Sequence, residues 1–260
     1  YPQMYGAKTV EYALDSDQGW DIDTDDIRRK MNDTVKFIVI VNPNNPTGNV
    51  AKPSTIMEVL SIAKDWPNCT IIADEIYDAL DFSGDQRSVA SLSDEVPVVT
   101  LNGVSKVHFA PGWRIGYMAF FDPKSTLQAP RDGAERILRS RLCASTPAQY
   151  GYLAGLNHDR LWLKERLRTI ERRVDLCMNR IEGIEGLSCN KPGGAFYLFP
   201  KIDNPSKYGS DKKFVLDLLH EEHVLVVHGS GFSPRYGSGH FRLVALAPED
   251  LLNEAFDRID

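Results

Sequence analysis

Apolar residues follow two different rhythms along this chain. In the first half, short apolar runs alternate with helical stretches. Residues 35–41 (VKFIVIV) form a β-branched run, the pattern of a strand buried on both faces. The run breaks in NPNNPTG, residues 42–48, which demands a loop. Within residues 54–65, Ile56, Val59, Leu60 and Ala63 share one helical face. Residues 70–73 predict a strand ending at Asp74-Glu75, and residues 97–101 another, leading into Asn102-Gly103-Val104-Ser105-Lys106. Residues 114–121 are apolar again. Strands alternating with helices predict an α/β fold: a mostly parallel sheet with flanking helices. Such sheets bind ligands beyond the carboxyl ends of their strands. Asn45, Asp74 and Lys106 all fall there.

The second half changes rhythm. From residue 158 to 183, Leu163, Leu167, Ile170, Val174, Cys177 and Ile181 recur at spacings of three and four, the stripe of a long amphipathic helix. Its other face carries Arg166, Arg168, Arg172 and Arg173 and reads as a solvated surface. Strands follow at 194–199, 224–227 and 241–245, with helices at 212–222 and 249–259. This is a smaller α+β carboxyl-terminal domain. The boundary falls near residue 155, giving a large domain over 1–155 and a long connecting helix with the small domain over 156–260.

Composition narrows the function classes. A 260-residue chain with 42% hydrophobic and 25% charged residues builds a core without disulfides or a structural metal. A net charge of -6 argues against a nucleic-acid partner. No apolar run approaches the roughly 20 residues of a membrane helix, so no membrane partner is expected. Cys69, Cys143, Cys177 and Cys189 are widely and unevenly spaced, which predicts free thiols in a cytoplasmic protein. His220-Glu221-Glu222-His223 offers two histidines on a helix end without further ligands, and no metal is expected. The chain opens on Tyr1-Pro2 with no initiator Met.

Several stretches carry chemistry together. NPNNPTG (42–48), ADEIY (73–77), Ser105-Lys106 followed by PGWRIGY (111–117), GGAFY (193–197) and Phe241-Arg242 occur in a recognisable order and spacing. With these residues the chain resembles the fold-type I, class I/II pyridoxal-phosphate aminotransferases over essentially its whole length. The resemblance implies pyridoxal 5'-phosphate as cofactor, and amino-acid and 2-oxo-acid substrates. It implies a homodimer for the full-length form.

It also implies roles. Lys106 would hold the cofactor covalently and then shuttle the substrate proton, a task that suits lysine because a desolvated amine sheds its proton readily. Asp74 would pair with the pyridine nitrogen and keep it protonated, stabilising developing negative charge. Tyr77 and Asn45 would hydrogen-bond the ring's phenolic oxygen. Arg114 would grip the phosphate, with Ser105 a lesser contact, and Arg242 would bind the substrate carboxylate through its planar fork, with Asn45 also on the substrate side. Tyr1 is similar to the aromatic residue that stacks on the pyridine face in relatives with a Tyr-Pro pair here. Trp113, Phe196 and Tyr197 read as packing.

The sequence also departs from the family. The family's other phosphate anchor, a small-residue turn opening a helix, would precede Tyr1, as would the arm that closes over substrate. The economical expectation is a fragment of a longer enzyme. Gly103 stands where many relatives place a phosphate-touching serine. Residues 138–149 and 227–232 look most similar to alanine aminotransferases that use 2-oxoglutarate, with aspartate or aromatic specificity next. A β-eliminating lyase or a cyclopropane-forming synthase shares these motifs, and a folded but inactive or regulatory fragment is the non-enzyme reading.

Overall fold

A computed structural model of the chain describes residues 2–159 and 161–260. Strands β1 (Phe37–Val41), β2 (Thr70–Asp74), β3 (Val98–Gly103) and β4 (Gly116–Phe121) form one sheet in that order. The first two pairings are parallel and the third is antiparallel, so the sheet is mostly parallel, as the alternation predicts. The register sets Val41 beside Asp74 and Asp74 beside Leu101. The three parallel strands therefore end nearly level, and the loops that follow them start from one edge.

Helix α1 (Pro53–Lys64) opens with Pro53, a residue preorganised for the first helical turn. It buries Ile56, Val59, Leu60 and Ala63, the face its spacing predicts, together with Ile62. These pack with Ile38, Ile40, Ile71, Ala73 and Val98 of the sheet. The expectation that β1 is buried on both faces does not hold. Phe37 and Val39 are 53% and 49% exposed, because apolar packing among the described residues reaches β1 through Ile38 and Ile40. Register places Val39, Val41, Ile72 and Asp74 on the face away from that core.

Helices α2 (Gln128–Arg141) and α3 (Thr146–Asn157) follow. Helix α2 buries no residue and α3 buries Tyr152. Helix α4 (Leu161–Gly183) starts three residues later than the pattern suggests, with the Asp159 carboxylate accepting from the Leu161 amide at 3.3 Å. Its stripe is buried at Leu163, Ile170, Val174, Cys177 and Ile181, with Leu167 packed alongside.

Strand β5 (Tyr197–Leu198), helix α5 (Asp211–Glu221), strands β6 (Val227–His228) and β7 (Phe241–Val244), and helix α6 (Glu249–Ile259) complete this half. The strands pair antiparallel in the order β6-β7-β5. Both β5 and β6 are shorter than their apolar patterns. Ala195 sits at φ 56° and the Gly193 and Gly194 amides bond to Gly48, so ladder pairing starts only at Tyr197. Ahead of β6, His223 sits at φ 58° and the Val224 amide is taken by the Leu218 carbonyl.

The apolar cluster of α4, α6 and β7 extends to Tyr77, Leu80 and Val107, so the segments carrying Tyr77 and Lys106 are anchored in it. All four cysteines are free thiols. Burial pushes the Cys69 thiol up to about 11 and that of Cys177 up to about 12, as for small core residues. Among the described residues, no helix is long and apolar enough to cross a membrane.

Candidate active site

The site grows from the carboxyl edge of the sheet. Asp74 is the last residue of β2 and half-buried, and its Oδ1 accepts from the Ile76 amide at 3.2 Å. Its neighbour Glu75 is buried but structural, its Oε1 accepting from the Val89 amide at 2.7 Å. The chain then turns and drops Tyr77 into the core, 3% exposed. The Tyr77 hydroxyl lies 2.8 Å from the Tyr197 hydroxyl.

The asparagines of the 42–49 loop divide their labour. Asn42 Oδ1 accepts from the Ala51 amide at 2.9 Å, and Asn44 Oδ1 accepts from Thr47 Oγ1 at 2.9 Å. Asn49 donates to the Trp20 carbonyl at 3.0 Å. These three shape the loop, in which the Asn42-Pro43 and Asn45-Pro46 bonds are cis. Asn45 instead faces across the site, its Oδ1 accepting from Arg242 Nη1 at 2.8 Å. Gly48 fastens the loop to the opposite segment. Its carbonyl accepts from the Gly193 and Gly194 amides at 3.0 and 2.9 Å. At φ +68°, an added Cβ would lie 2.4 Å from Pro192 Cβ and 2.6 Å from the Tyr197 carbonyl, so a side chain here would break the junction.

Lys106 lies in the loop between β3 and β4, whose ends are held by Gly103 pairing with Gly116. The Lys106 amine sits 5.9 Å from the ring centroids of both Tyr77 and Phe196. Gly103 is required by packing, since a Cβ there would meet the Ile115 carbonyl at 2.8 Å. A serine at this position is therefore blocked by backbone. Ser105 is half-buried and makes no side-chain hydrogen bond among the described residues. Arg114 is exposed at φ 53° and donates to the Pro111 carbonyl at 2.7 Å. It shares the Lys106 loop, and among the described residues it makes no hydrogen bond or ion pair with Asp74, Tyr77 or Arg242. Tyr1 lies outside the described residues.

Arg242 stands on β7 with its guanidinium 4.8 Å from the Tyr197 ring centroid and 4.9 Å from that of Phe232. Its Nε is buried without a hydrogen-bond partner. Tyr197 and Phe232 are the contacts that sequence reasoning passed over. The pairing of β5 with β7 sets Tyr197 opposite Val244, which makes it a diagonal neighbour of Arg242 on the same face. Only strand register, and not residue spacing, carries that signal.

The electrostatics are unusual. Among the described residues, Asp74, Lys106 and Arg242 have no ion-pair partner. Burial raises the Asp74 carboxyl above its ordinary value, opposed by the Ile76 amide. Burial also pushes the Tyr77 hydroxyl up, with Tyr197 adding to the effect and Arg242 opposing it. Half-buried charges without counter-charges cost free energy. One acidic and two basic groups thus stand ready for a ligand of mixed charge. No group of three His, Cys, Asp or Glu side chains among the described residues could hold a metal ion.

Comparison with known proteins supplies the family. The model for aminotransferase class I and II matches residues 2–259. The glutamate-pyruvate aminotransferase AlaA of Haemophilus influenzae is 39% identical over 98% of this chain and 64% of its own length. An alanine aminotransferase of Mycobacterium tuberculosis is 34% identical over 98% of this chain and 60% of its own. Among solved structures, an alanine aminotransferase from Pyrococcus furiosus superposes with a TM-score of 0.95 at 47% identity, covering 99% of this chain and 65% of that one. The chain spans less than two thirds of the length of these relatives.

Proposed function

Because the chain belongs to the class I and II aminotransferase family, we propose that its candidate site serves an enzyme moving an amino group from an α-amino acid to a 2-oxo acid. Alanine is the favoured donor and 2-oxoglutarate the favoured acceptor, with aspartate next as donor. The names of the similar proteins support this choice. The family works with pyridoxal 5'-phosphate, which when bound acts as an electron sink for the substrate carbanion.

The residues present fit that cofactor, and the three unpaired charges carry this reading. Asp74 is a carboxylate without a cation partner among the described residues, suited to hold a protonated ring nitrogen. Tyr77 and Asn45 present a hydroxyl and an amide for the phenolic oxygen. Arg114, exposed and without a carboxylate partner among the described residues, is assigned to the phosphate, with Ser105 beside it. The Arg242 orphan Nε adds a donor for the substrate carboxylate, which a guanidinium grips by two parallel bonds. Lys106 Nζ, stationed over two aromatic rings, holds the cofactor and then carries the proton to and from the substrate Cα.

The division into a cofactor-binding unit over 1–155 and a small unit over 156–260 belongs to the same proposal. So do the cytoplasmic location and the homodimeric full-length form. The test is borohydride reduction in the presence of pyridoxal phosphate, followed by peptide mapping. Label is expected on Lys106 and is lost in Lys106→Ala. Stable label on other lysines, with none on Lys106, overturns the assignment. A panel of alanine, aspartate, tyrosine and a β-elimination substrate then separates transfer from elimination.

A further inference from the structure

We propose that Tyr197 is a positioning residue that orients the Tyr77 proton toward the bound cofactor and links it to the carboxylate-binding Arg242. The proposal rests on the aminotransferase reading. It starts from a hydroxyl pair 2.8 Å apart, with both tyrosines buried, at 3% and 4% exposure. Among the described residues neither hydroxyl has another partner. A phenol has one proton to give. If Tyr77 gives its proton to Tyr197, none remains for the cofactor's phenolic oxygen. If Tyr197 gives, Tyr77 accepts on its oxygen and keeps its proton for the ligand.

The surroundings favour the second arrangement. The Arg242 guanidinium lies 4.8 Å from the Tyr197 ring centroid. The Lys106 amine lies farther from the Tyr77 ring centroid, at 5.9 Å, and Arg242, which also acts on the Tyr77 hydroxyl, stands against the Tyr197 ring face. A cation on a phenol's π face draws electron density from the ring and makes its hydroxyl the stronger donor. Tyr197 then donates to Tyr77, and a donor that is itself accepting is strengthened in turn. The geometry is held by the edge-to-face contact of the two rings, 5.6 Å apart at 83°. It is also held by the pairing of Tyr197 with Val244, two residues beyond Arg242 on β7.

Tyr197→Phe tests this, because it keeps the ring and its contacts and removes only the hydroxyl. The readout is the pH midpoint of the absorbance change of Lys106-bound pyridoxal phosphate, in the longest native polypeptide that carries this sequence. Tyr77→Phe should raise the midpoint, since the phenolic oxygen loses its donor and holds its proton more tightly. Tyr197→Phe should raise it by less, about half a pH unit, or about threefold in proton affinity. In the double variant the Tyr197 effect should vanish, because it acts through Tyr77. An unchanged midpoint in Tyr197→Phe, with Lys106 still labelled, overturns the proposal alone. So does an equal shift with and without Tyr77. Absence of label on Lys106 overturns the aminotransferase reading and this proposal together.

Discussion

Two regions of the molecule use arginine in opposite ways. Along the seam between α4 and α6, guanidinium groups find acceptors. Arg172 meets Glu249 at 2.7 Å and Arg180 meets Asp257 at 2.6 Å, while Arg173 donates to the Leu246 carbonyl at 2.6 Å and keeps a buried Nε without a partner. Part of the basic face that reads as merely solvated is thus a docking edge. At the candidate site, Arg242 contacts a neutral amide and two rings and keeps an orphan Nε. Asp74 and Lys106 are equally unpaired among the described residues. Within one chain, charge satisfied internally marks a stabilising contact. A single orphan nitrogen, as on Arg173, does not mark a ligand site, but unpaired charges of both signs gathered around Tyr77 do.

Removing Arg242 tests that contrast most severely. Arg242→Ala should cost the carboxylate contact about 2–5 kcal/mol, or roughly 30- to 4,000-fold in kcat/KM. Arg242→Lys should recover part of this, because a point charge remains but the planar fork is lost. Label on Lys106 should be unaffected in both variants. A kcat/KM within about twofold of the parent in Arg242→Ala would place the substrate carboxylate elsewhere.

Asp74 should show a smaller effect, with opposite signs in the bare and the loaded chain. Its folded carboxyl is raised above the ordinary value of 3.8 by burial. The folded chain therefore binds this proton more tightly than the unfolded chain does. The favourable contribution is complete below the ordinary value and is lost as pH rises through the folded one. Above that, the chain without cofactor carries a poorly solvated carboxylate. Asp74→Asn should raise its thermal midpoint at pH 8, with the gain shrinking toward pH 4. The same change removes a charged hydrogen bond from the cofactor, about 1.5–3 kcal/mol, and should weaken binding roughly 10- to 150-fold. A destabilised bare chain, or undiminished affinity, would make Asp74 a structural residue.

The strand ends were legible because continuous β-branched runs stop where turn residues begin, and Val41, Asp74 and Leu101 do align there. The stripe of α4 was legible because its spacing repeats over many turns. Helices α2 and α3 were not, since they bury only Tyr152 and periodicity reports burial, not helicity as such. The exposed side of β1 was illegible for a related reason. An apolar run records what a strand can bury, and Phe37 and Val39 meet no core among the described residues. Asn45, Asp74, Lys106 and Arg242 could be picked out from the family's order of motifs. Tyr197 could not, because its partnership with Tyr77 joins residues far apart in sequence and depends on register.

The smallest expected effect lies back on the seam. Arg172 and Glu249 form a short bond, yet their side chains are 64% and 39% exposed. Water screens such a pair, and ordering two long side chains offsets much of the attraction. Arg172→Ala should therefore lower stability by only about 0.5 kcal/mol, about 1–2 °C in thermal midpoint for a chain of this size. The loss should diminish further at high salt. In a double-mutant cycle with Glu249→Ala, the coupling should stay below about 1 kcal/mol. A coupling of several kcal/mol, insensitive to salt, would erase the contrast with the candidate site. Bond length would then outweigh exposure in deciding what an ion pair is worth in this fold, and the unpaired state of Arg242 would have to be explained by strain instead of by a ligand.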